Sequence, residues 1–373
     1  MISRAGIEKH NVNLHFLGNE RGGYTFSRAC MLGDGSLLIA STLVNKPGKI
    51  SLIKLDPSLK MGWEKIIKDT SKHSIYKKYR RAMGIADIQV VDGECRILAI
   101  MTIRDTYVPV FISTDMQGNL LRYHIFPHGV FSSTPAQGIL MGDRAYFTWF
   151  DQKEKIISAY ELHWNDLKYF KKSFAYLIQK APRYTSIFAD SLSQHVYMTT
   201  YDEGKGSALL AVSDSAGMKI INDTDRKQTL QLVSVNDKSV YVMATKDSSA
   251  AIGIVHPDRE PDIVLSFKRK TADFTPRAML KTQDGFLIGL VEDITIKSRK
   301  NRDIRILQFQ NGKQIGAEYQ IGGRRMDELH QLLLTKDGRF IAIGNSDSHR
   351  FGVGSRLFVK KITADSTLSF DHS

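Results

Sequence analysis

The amino-acid sequence predicts an all-β protein built from repeats of one four-stranded unit. Three observations support this fold class. Runs of β-forming residues follow one another along the 373 residues, Asp-Gly turns recur about every 45 to 55 residues, and no segment shows the apolar spacing of an amphipathic helix. The absence of helical spacing disfavours a two-domain α/β fold. A β-sandwich is the second choice, because it would not require the same turn in every unit.

The best-preserved unit reads GDGSLLIASTLVNKPGKISLIKLDPSLKMGWEKI, from Gly33 to Ile66. It contains an Asp-Gly turn, a strand, a polar Asn-Lys-Pro-Gly loop, a second strand, and a third strand with Trp-Glu-Lys. The same order recurs at 282–319 and 335–362. Fainter copies begin at Val91, Met141, Ser193 and Asn236. A further short strand precedes each copy, so each unit has four strands.

Four-stranded units at this period are typical of the blades of a β-propeller. We therefore predict a single seven-bladed propeller domain that spans residues 1–373. The seventh unit runs into the polar segment TADSTLSFDHS, so residues 1–22 are predicted to supply its outer strand and close the ring, which removes exposed strand edges. The predicted blades cover approximately residues 23–70, 80–130, 131–178, 181–224, 226–270, 272–322 and 325–373.

The first unit also carries a family resemblance. The motif DGSLLIAST followed by ISLIKLDPSLKMGWEKI resembles the bacterial β-propeller repeat family, whose units combine a DG-aliphatic-AGS strand, an IWLIKLD-type strand and a WEK-type ending. The match is close in the first unit, partial in the sixth and seventh, and weak in the other four. The resemblance implies an architecture and no activity, because the repeated residues of that family are structural.

Composition indicates a soluble protein, with 42% apolar and 24% charged residues. No apolar run reaches the roughly 18 residues that span a bilayer, and the first residues lack the apolar core of a signal peptide. We expect a soluble protein, either cytoplasmic or exported with its signal removed. The two cysteines, Cys30 and Cys95, lack metal-type spacing and are predicted to be buried free thiols. The sequence predicts no metal and no cofactor.

Charges sort by the type of connection that carries them. Strands a, b, c and d of a blade run outward from the axis, so connections alternate between two ends. We call the end with the a–b and c–d turns the turn end, and the end with the b–c turns and the links between units the connection end. Asp residues suit tight turns because they bond their own backbone, so a structural role is predicted for the turn-end acids Asp34, Asp56, Asp92, Glu94, Asp115, Asp143, Asp190, Asp214, Asp237, Asp258, Glu260, Asp284 and Asp337.

Basic runs fall at the connection end, and several are interleaved with Tyr or Phe. The net charge is +13, which attracts anionic partners. The candidate anion-binding residues are Lys77, Lys78, Arg80, Arg81, Arg183, Lys268, Arg269, Arg277, Lys297, Arg299, Lys300, Arg302, Arg324 and Arg325. The run LKYFKK, which starts at Leu167, is assigned to a link between units. Converging cations with aromatics suit phosphate or sulfate groups and stacked bases or sugars; a solvated face that binds nothing is the alternative.

A second pattern lies at the same end, just after strand b in six of the seven units. These candidate channel-mouth carboxylates are Asp105, Asp151, Asp202, Asp247, Asp293 and Asp347. In one interpretation they form a ring that binds a metal or acts as acid and base. In the other, each Asp caps its own b–c turn or pairs with a neighbouring Arg. The second is favoured, because a residue repeated by symmetry usually serves a need repeated by symmetry.

The function that the sequence favours is non-catalytic. It contains no Walker loop, GxGxxG, HExxH, nucleophile elbow or EF-hand loop. We predict a binding or scaffold protein whose connection end docks an anionic partner, most readily another protein, with nucleic acid or an acidic glycan also possible. The alternative is a hydrolase or lyase that acts on an anionic carbohydrate at the axial mouth, where Arg28 and Arg277 would join the carboxylates. His330 and His349 could also face the channel, but a structural role is favoured for a lone histidine.

Overall fold

The computed structural model describes most of the chain as β-strands. The described residues are 15–17, 24–43, 46, 48–68, 80–103, 106–126, 137–151, 153–177, 185–190, 195–202, 207–214, 217–224, 229–236, 239–246, 248–256, 261–269, 274–282, 285–296, 299–315, 318–322, 326–347 and 356–362. Within these residues there is no helix, and hence none long and apolar enough to cross a membrane. The all-β class is therefore confirmed.

The strands fall into seven antiparallel sheets within the described part of the chain. Strand β1 (His15–Leu17) comes first in the chain and belongs to the last sheet. Sheet 1 contains β2 (Tyr24–Met31), β3 (Leu37–Leu43), β4 (Lys49–Leu55) and β5 (Met61–Lys68). Sheet 2 contains β6 (Arg80–Val91), β7 (Glu94–Ile103), β8 (Thr106–Thr114) and β9 (Leu120–Ile125). Sheet 3 contains β10 (Gly138–Met141), β11 (Arg144–Asp151), β12 (Ile156–His163) and β13 (Asp166–Leu177).

The remaining sheets repeat this order. Sheet 4 contains β14 (Thr185–Asp190), β15 (His195–Asp202), β16 (Ser207–Asp214) and β17 (Gly217–Thr224). Sheet 5 contains β18 (Thr229–Asn236), β19 (Ser239–Lys246), β20 (Ser249–Val255) and β21 (Asp262–Lys268). Sheet 6 contains β22 (Phe274–Thr282), β23 (Gly285–Ile296), β24 (Arg299–Gln310), β25 (Lys313–Gln314) and β26 (Tyr319–Ile321). Sheet 7 contains β27 (Asp327–Leu334), β28 (Phe340–Ser346) and β29 (Arg356–Ile362), with β1 as its fourth strand.

Sequential strands are neighbours in every sheet, with two variations. In sheet 6 the fourth strand is interrupted, so β25 and β26 each pair separately with β24. In sheet 7 the order is β27, β28, β29, β1, and His15 pairs with Val359. The first strands contact one another in succession through sheets 1 to 7, and β27 also contacts β2. These first strands therefore lie side by side along the inner edge of the sheets.

Apolar residues pack between neighbouring sheets. Sheets 2 and 3 share the aromatic part of the core, where Phe111 packs edge-on against Trp164 with ring centroids 5.7 Å apart. Phe147 similarly meets Phe126 at 5.5 Å. Edge-on pairs of this kind add to the free energy gained from burial alone. This part of the interface is thus packed with aromatic side chains.

Trp164 lies in the turn between β12 and β13 and fixes that turn to sheet 2. It is 1% exposed, and its ring lies under the Arg96 guanidinium, 5.3 Å from the ring centroid. Its main-chain carbonyl accepts a hydrogen bond of 2.7 Å from Arg122 Nη1, and its Nε1 donates to Glu94 Oε1 at 3.4 Å. Each polar atom of a buried Trp that finds a partner avoids a desolvation cost, so the residue joins two sheets at the turn end.

Turn-end aspartates bond their own backbone, as the sequence predicts. Asp34 Oδ1 accepts from Ser36 N at 2.9 Å. Asp56 Oδ1 accepts from the amide nitrogens of Ser58 and Lys60, both at 2.9 Å. Asp115 forms the equivalent pair of bonds with residues 117 and 119. These side chains are acceptors within their own turns.

Glycine is required in the third–fourth turn of sheet 2. Gly118 has φ +78°, and an added Cβ would lie 2.9 Å from the ring of Trp63 in sheet 1. The Trp-Glu-Lys ending of the first unit thus packs on the next sheet, and Lys65 Nζ donates to Asn119 Oδ1 at 2.7 Å. The Trp-Glu-Lys ending of that unit therefore forms a contact between sheets.

Five of the seven described first strands contain a β-bulge. Register shifts occur in β2, β6, β18, β22 and β27. The bulged residue, which has no cross-strand partner, is Arg277 in β22 and His330 in β27. In β2 two residues, Phe26 and Ser27, lie opposite the single residue Ser41. A bulge breaks the alternation of side chains and re-aims them. Polar side chains on these strands can therefore point toward one another at the inner edge.

Two sequence expectations need correction. Cys95 is fully buried as predicted, and burial raises its pKa to about 12. Cys30 is a free thiol too, but it is only partly buried. The run LKYFKK is not a link between units, because residues 167–172 lie within the twelve-residue strand β13. Strand β13 continues through this run by pairing with β12, where Glu161 lies opposite Lys171.

Candidate functional site

The bulged first strands of sheets 1, 2 and 7 meet at Arg28. Its Nε donates to the carbonyl oxygen of Ala86 at 3.2 Å, and its Nη1 donates to those of Ser27 at 3.4 Å and His330 at 2.7 Å. The half-buried guanidinium thus bonds three strands through main-chain oxygens. Burial lowers the pKa of Arg28, an effect that Asp87 opposes and Arg277 reinforces. A guanidinium stays protonated under such shifts, so this is a buried positive charge.

Asp87 is the carboxylate that acts on Arg28, and its oxygens are bonded to amides. Oδ1 accepts from Ile88 N at 2.9 Å, and Oδ2 accepts from Leu140 N at 2.8 Å. Burial raises its pKa to about 6, although these amides and Arg28 oppose the rise. The Leu140 bond crosses from sheet 2 to sheet 3. Asp87 therefore links two sheets and compensates Arg28 only at a distance.

His330 is a neutral imidazole on the bulge of β27. Burial lowers its pKa to about 3, and Arg28 and Arg277 add to this. Its Nδ1 accepts a hydrogen bond of 3.0 Å from Ser27 N, which assigns the ring proton to Nε2. Next to it, Ala29 N donates to Gln331 Oε1 at 2.8 Å, and Gln331 Nε2 donates to Ala29 O at 3.1 Å. These bonds join the first sheet of the chain to the last.

Two predicted cations, Arg277 and Arg302, share one carboxylate. Glu328 on β27 lies 3.4 Å from Arg277 Nη2 through its Oε2, and its Oε1 accepts from Arg302 Nη1. Arg302 Nε also donates to Asp293 Oδ1 at 2.7 Å. The Asp293 hydrogen bond is the main reason that the pKa of Arg302 is raised. Sheets 6 and 7 are thus connected by alternating charges at the connection end.

A third predicted cation, Arg269, lies in a buried ion network between sheets 5 and 6. Its Nε donates to Glu292 Oε1 at 2.8 Å, and its Nη1 pairs with Glu318. Arg305 Nε donates to the other Glu292 oxygen at 3.2 Å. The side chain of Glu292 is 3% exposed. Burial opposes the charge of Arg269, but hydrogen bonds to Glu318 and Glu292 raise its pKa overall.

Asp303 is the last carboxylate of this ion network. Its Oδ2 accepts from Gln320 Nε2 at 2.7 Å, while its buried Oδ1 has no hydrogen-bond partner among the described residues. Burial raises the pKa of Asp303. An added Cβ on Gly322 would lie 2.6 Å from that Oδ1, so the backbone there approaches the carboxylate closely.

The other predicted cations are placed in part. Lys268 ends β21, is exposed, and has no ion pair within the described part of the chain. A cavity of about 450 Å³ lies beside it on sheet 5, lined also by Thr245, Ser249, Ser266 and Phe267. The backbone is placed for Arg80 and Arg81 in β6 and for Arg299 and Lys300 in β24. Outside the described residues lie Lys77, Lys78, Arg183, Lys297, Arg324 and Arg325.

The candidate carboxylates separate into individual roles where the structure describes them. Asp151 Oδ1 accepts from the amide nitrogens of Lys153 at 2.8 Å and Glu154 at 3.0 Å, which caps its own turn. Asp293 pairs with Arg302 across its own hairpin. Asp347 N donates to Met326 O at 3.0 Å, and within the described part of the chain nothing hydrogen-bonds to its buried Oδ1. The backbone of Asp202 ends β15, and Asp105 and Asp247 lie outside the described residues.

Glu292 and Asp303 were missed in the sequence, although a signal for them exists. In β23 every residue from Phe286 to Val291 is buried, and Glu292 follows this continuous apolar run directly. A carboxylate that extends a buried apolar run indicates a buried charge that needs a partner. Asp87 and the Ser27 contact with His330 had no such signal. Within the described residues, no group of three or more His, Cys, Asp or Glu side chains is arranged to hold a metal ion.

Comparisons with known proteins identify the fold. No family model matches the chain, and no curated protein matches it. YCF48 from Cyanidioschyzon merolae has a similar structure, with a TM-score of 0.54, 11% identity, and coverage of 92% of this chain and 98% of that one. A post-proline cleaving enzyme from Rickettsia typhi has a TM-score of 0.51 and 9% identity, over 95% of this chain and 54% of the enzyme. The structural neighbours are β-propeller proteins, both enzymes and non-enzymes, so the likeness supports a β-propeller-like all-β fold and no particular activity.

Proposed function

We propose that the chain is a seven-bladed β-propeller, a single domain closed by β1, whose connection end docks an anionic partner without catalysis. Ring closure is supported by the pairing of β1 with β29 and by the contact between β27 and β2. The hydrogen bonds from Ser27 N to His330 and from Ala29 N to Gln331 also join β2 to β27. A closed ring is rigid, which suits a surface built from many separate loops.

The docking proposal is carried by one observation: strand ends that carry basic residues fall at the same end of the sheets in the described part of the chain. Strand β6 begins at Arg80, β21 ends at Lys268, and β24 begins at Arg299. Lys77 and Lys78 precede β6, Arg183 precedes β14, and Arg324 and Arg325 precede β27. Starts of first strands, ends of fourth strands and second–third hairpins all lie at the connection end. We therefore expect the cations at these strand ends, and those next to them in the chain, to converge there.

The hairpin of β23 and β24 extends this surface. Pairing of β22 with β23 stops at Phe274 and Glu292. Pairing of β23 with β24 continues for four more pairs, from Asp293 with Arg302 to Ile296 with Arg299. The hairpin thus projects beyond the first strand of its sheet, and its tip carries Arg299 and Lys300. A projecting basic hairpin can reach a partner before the rest of the surface makes contact.

Ion pairing divides the predicted cations into two groups. Arg269, Arg277 and Arg302 have carboxylate partners within the chain, so we assign them to the contacts between sheets. Docking is assigned to Lys268 and to the cations of the links and of the projecting hairpin. A protein with an acidic surface is the favoured partner, because such a partner matches a broad surface of separated charges.

The proposal is tested with three immobilised polyanions: poly-glutamate for an acidic protein surface, heparin for an acidic glycan, and a single-stranded oligonucleotide. We expect salt-dependent binding, tightest for poly-glutamate. Replacing Lys77, Lys78, Arg80 and Arg81 by Glu is expected to weaken binding and to flatten the dependence of the binding constant on salt, since fewer counterions are released. Unchanged binding by a variant that folds, or no binding of any polyanion by the wild type, would contradict the proposal.

A further inference from the structure

The guanidinium group of Arg28 has hydrogen-bonding capacity that the chain does not use. A guanidinium has five N–H donors in a planar fork. Arg28 donates from Nε and Nη1, always to main-chain carbonyl oxygens. Within the described part of the chain, no residue accepts from Nη2 and no carboxylate lies within ion-pair distance. Two donors of a half-buried cation are therefore available to a further group.

Arg277 approaches the same place from the neighbouring sheet. It is the bulged residue of β22, and it meets Glu328 on β27 at 3.4 Å. Arg28 meets β27 at His330, two residues further along the strand. Two residues of a strand span about 7 Å. Both guanidinium groups therefore contact β27, at positions two residues apart. The strands that carry them, β2 and β22, each lie next to β27.

The surrounding groups leave this pair of cations undercompensated. The oxygens of Asp87 are bonded to the amides of Ile88 and Leu140, and Glu328 is shared with Arg302. His330 is a neutral imidazole at neutral pH, because burial lowers its pKa and both arginines lower it further. Like charges in a partly buried place repel each other more strongly than in water. An anion between them would relieve this repulsion.

We infer that Arg28 and Arg277 form a binding subsite for one small oxyanion, a carboxylate or a phosphate group, where the first strands of sheets 1, 6 and 7 meet. The planar fork of arginine matches two oxygens of such a group. Arg28 is fixed by three carbonyl oxygens before the ligand arrives, so little side-chain freedom is lost on binding. Among the described residues, one carboxylate, that of Glu328, pairs with Arg277, so Arg277 supplies the adjustable contact. This subsite is separate from the cations assigned to docking.

The test is isothermal titration of the wild-type protein with inorganic phosphate and with citrate, at constant ionic strength set by sodium chloride. We expect saturable binding of one anion per chain to at least one of the two. Phosphate alone would identify a phosphate site, and citrate alone would identify a carboxylate site. If neither anion binds above the chloride background, the inference is overturned.

Two variants move the affinity in opposite directions. Arg277→Met is expected to weaken binding about tenfold or more, because it removes a charge-assisted contact. The variant should fold, since Glu328 keeps Arg302 as a partner. Glu328→Gln is expected to strengthen binding several-fold, because it removes the carboxylate that competes for Arg277. If Arg277→Met does not fold, Glu328→Gln alone decides, and no gain in its affinity would overturn the inference.

The control is Arg144→Met, which removes the same charge at the turn end, where Arg144 pairs with Glu161 at 3.2 Å. Its affinity for phosphate or citrate should equal that of the wild type. Equal weakening by Arg144→Met and Arg277→Met would reduce the effect to net charge and overturn the subsite. The Glu variant of Lys77, Lys78, Arg80 and Arg81 should retain at least half of the small-anion affinity. The subsite and the docking surface can therefore fail independently.

Discussion

The two ends of the sheets are built with different chemistry. At the turn end, aspartates such as Asp56 and Asp115 bond their own turns, and Trp164 joins sheets 2 and 3 through apolar contact. At the connection end, Arg269, Glu292 and their neighbours join sheets through charges that reach across the interface. The turn-end aspartates therefore use their oxygens within their own turns, whereas Glu292 and Glu328 at the connection end bind arginines of a neighbouring sheet. The docking that we propose is assigned to the connection-end cations outside these ion pairs.

The largest expected effect on stability is at Trp164, in the aromatic contact between sheets 2 and 3 at the turn end. Trp164→Ala should lower the free energy of unfolding by about 3 to 5 kcal/mol, because it leaves a cavity and strips the Arg96 guanidinium of its ring contact. Denaturant unfolding followed by far-UV circular dichroism measures this. Trp63→Ala, which alters a partly exposed tryptophan at the same end, is the matched control and should cost clearly less. A loss below 1 kcal/mol for Trp164→Ala would contradict its role in joining the two sheets.

The connection end should depend on charge pairing to a similar degree. Glu292→Gln is expected to destabilise the protein by about 3 kcal/mol, because it leaves Arg269 and Arg305 facing an amide in a buried place. The neighbouring change Asp293→Asn removes a carboxylate that is 52% exposed and should cost less than about 1 kcal/mol. Equal urea midpoints for the two variants would show that the buried network does not hold sheets 5 and 6 together.

Lowering the pH should destabilise the inner edge of the sheets through protonation of His330. Its folded-state pKa of about 3 lies below the ordinary 6.5, so the unfolded chain binds the proton more readily. This contribution to stability is present above pH 6.5 and is lost as the pH falls toward 3. His330→Gln should remove that part of the pH dependence. Urea midpoints of both proteins at pH 7, 5 and 4 check this, and parallel curves would contradict a buried neutral imidazole.

Asp87, at the same inner edge, should change the stability in the opposite direction as the pH falls. Its folded-state pKa of about 6 lies above the ordinary 3.8, so the folded protein binds its proton more readily. Lowering the pH from 6 toward 4 should therefore stabilise the fold through this group. Asp87→Asn is expected to flatten this rise and to destabilise the protein at pH 7, because the amide NH₂ would face a backbone N–H donor. A variant with unchanged stability at pH 7 would contradict the link from Asp87 to Leu140.

The smallest effect is expected at a single turn. Asp56→Ala removes the acceptor of three hydrogen bonds, from Ser58 N, Ser58 Oγ and Lys60 N. We expect a lower thermal midpoint than in the wild type, a smaller loss than for Trp164→Ala, and no change in polyanion binding. Weaker or tighter polyanion binding by this variant would mean that the turn end takes part in docking.

The sequence predicts the repeating part of this molecule well because that part is local. The Asp-Gly turns, the strand order and the acids of the turn end each depend on a few adjacent residues, as at Asp34 and Ser36. The contacts of Arg28 with Ala86 and His330 join residues as much as 302 positions apart, and no local pattern encodes them. The bulges that aim Arg277 and His330 are equally hidden, since they depend on the pairing register. Glu292 is an intermediate case, because the sequence shows a carboxylate directly after the apolar run of β23 but does not show its partners.

The most direct test of the difference between the two ends compares two variants with the same change in charge. Lys77→Glu with Lys78→Glu alters the connection end, and Lys60→Glu with Lys313→Glu alters two exposed lysines of the turn end. The measurement is the dissociation constant for the polyanion that the wild type binds most tightly, at one fixed salt concentration. We predict at least tenfold weaker binding for the first variant and less than about twofold for the second. Equal losses in both would contradict the assignment of docking to the connection end.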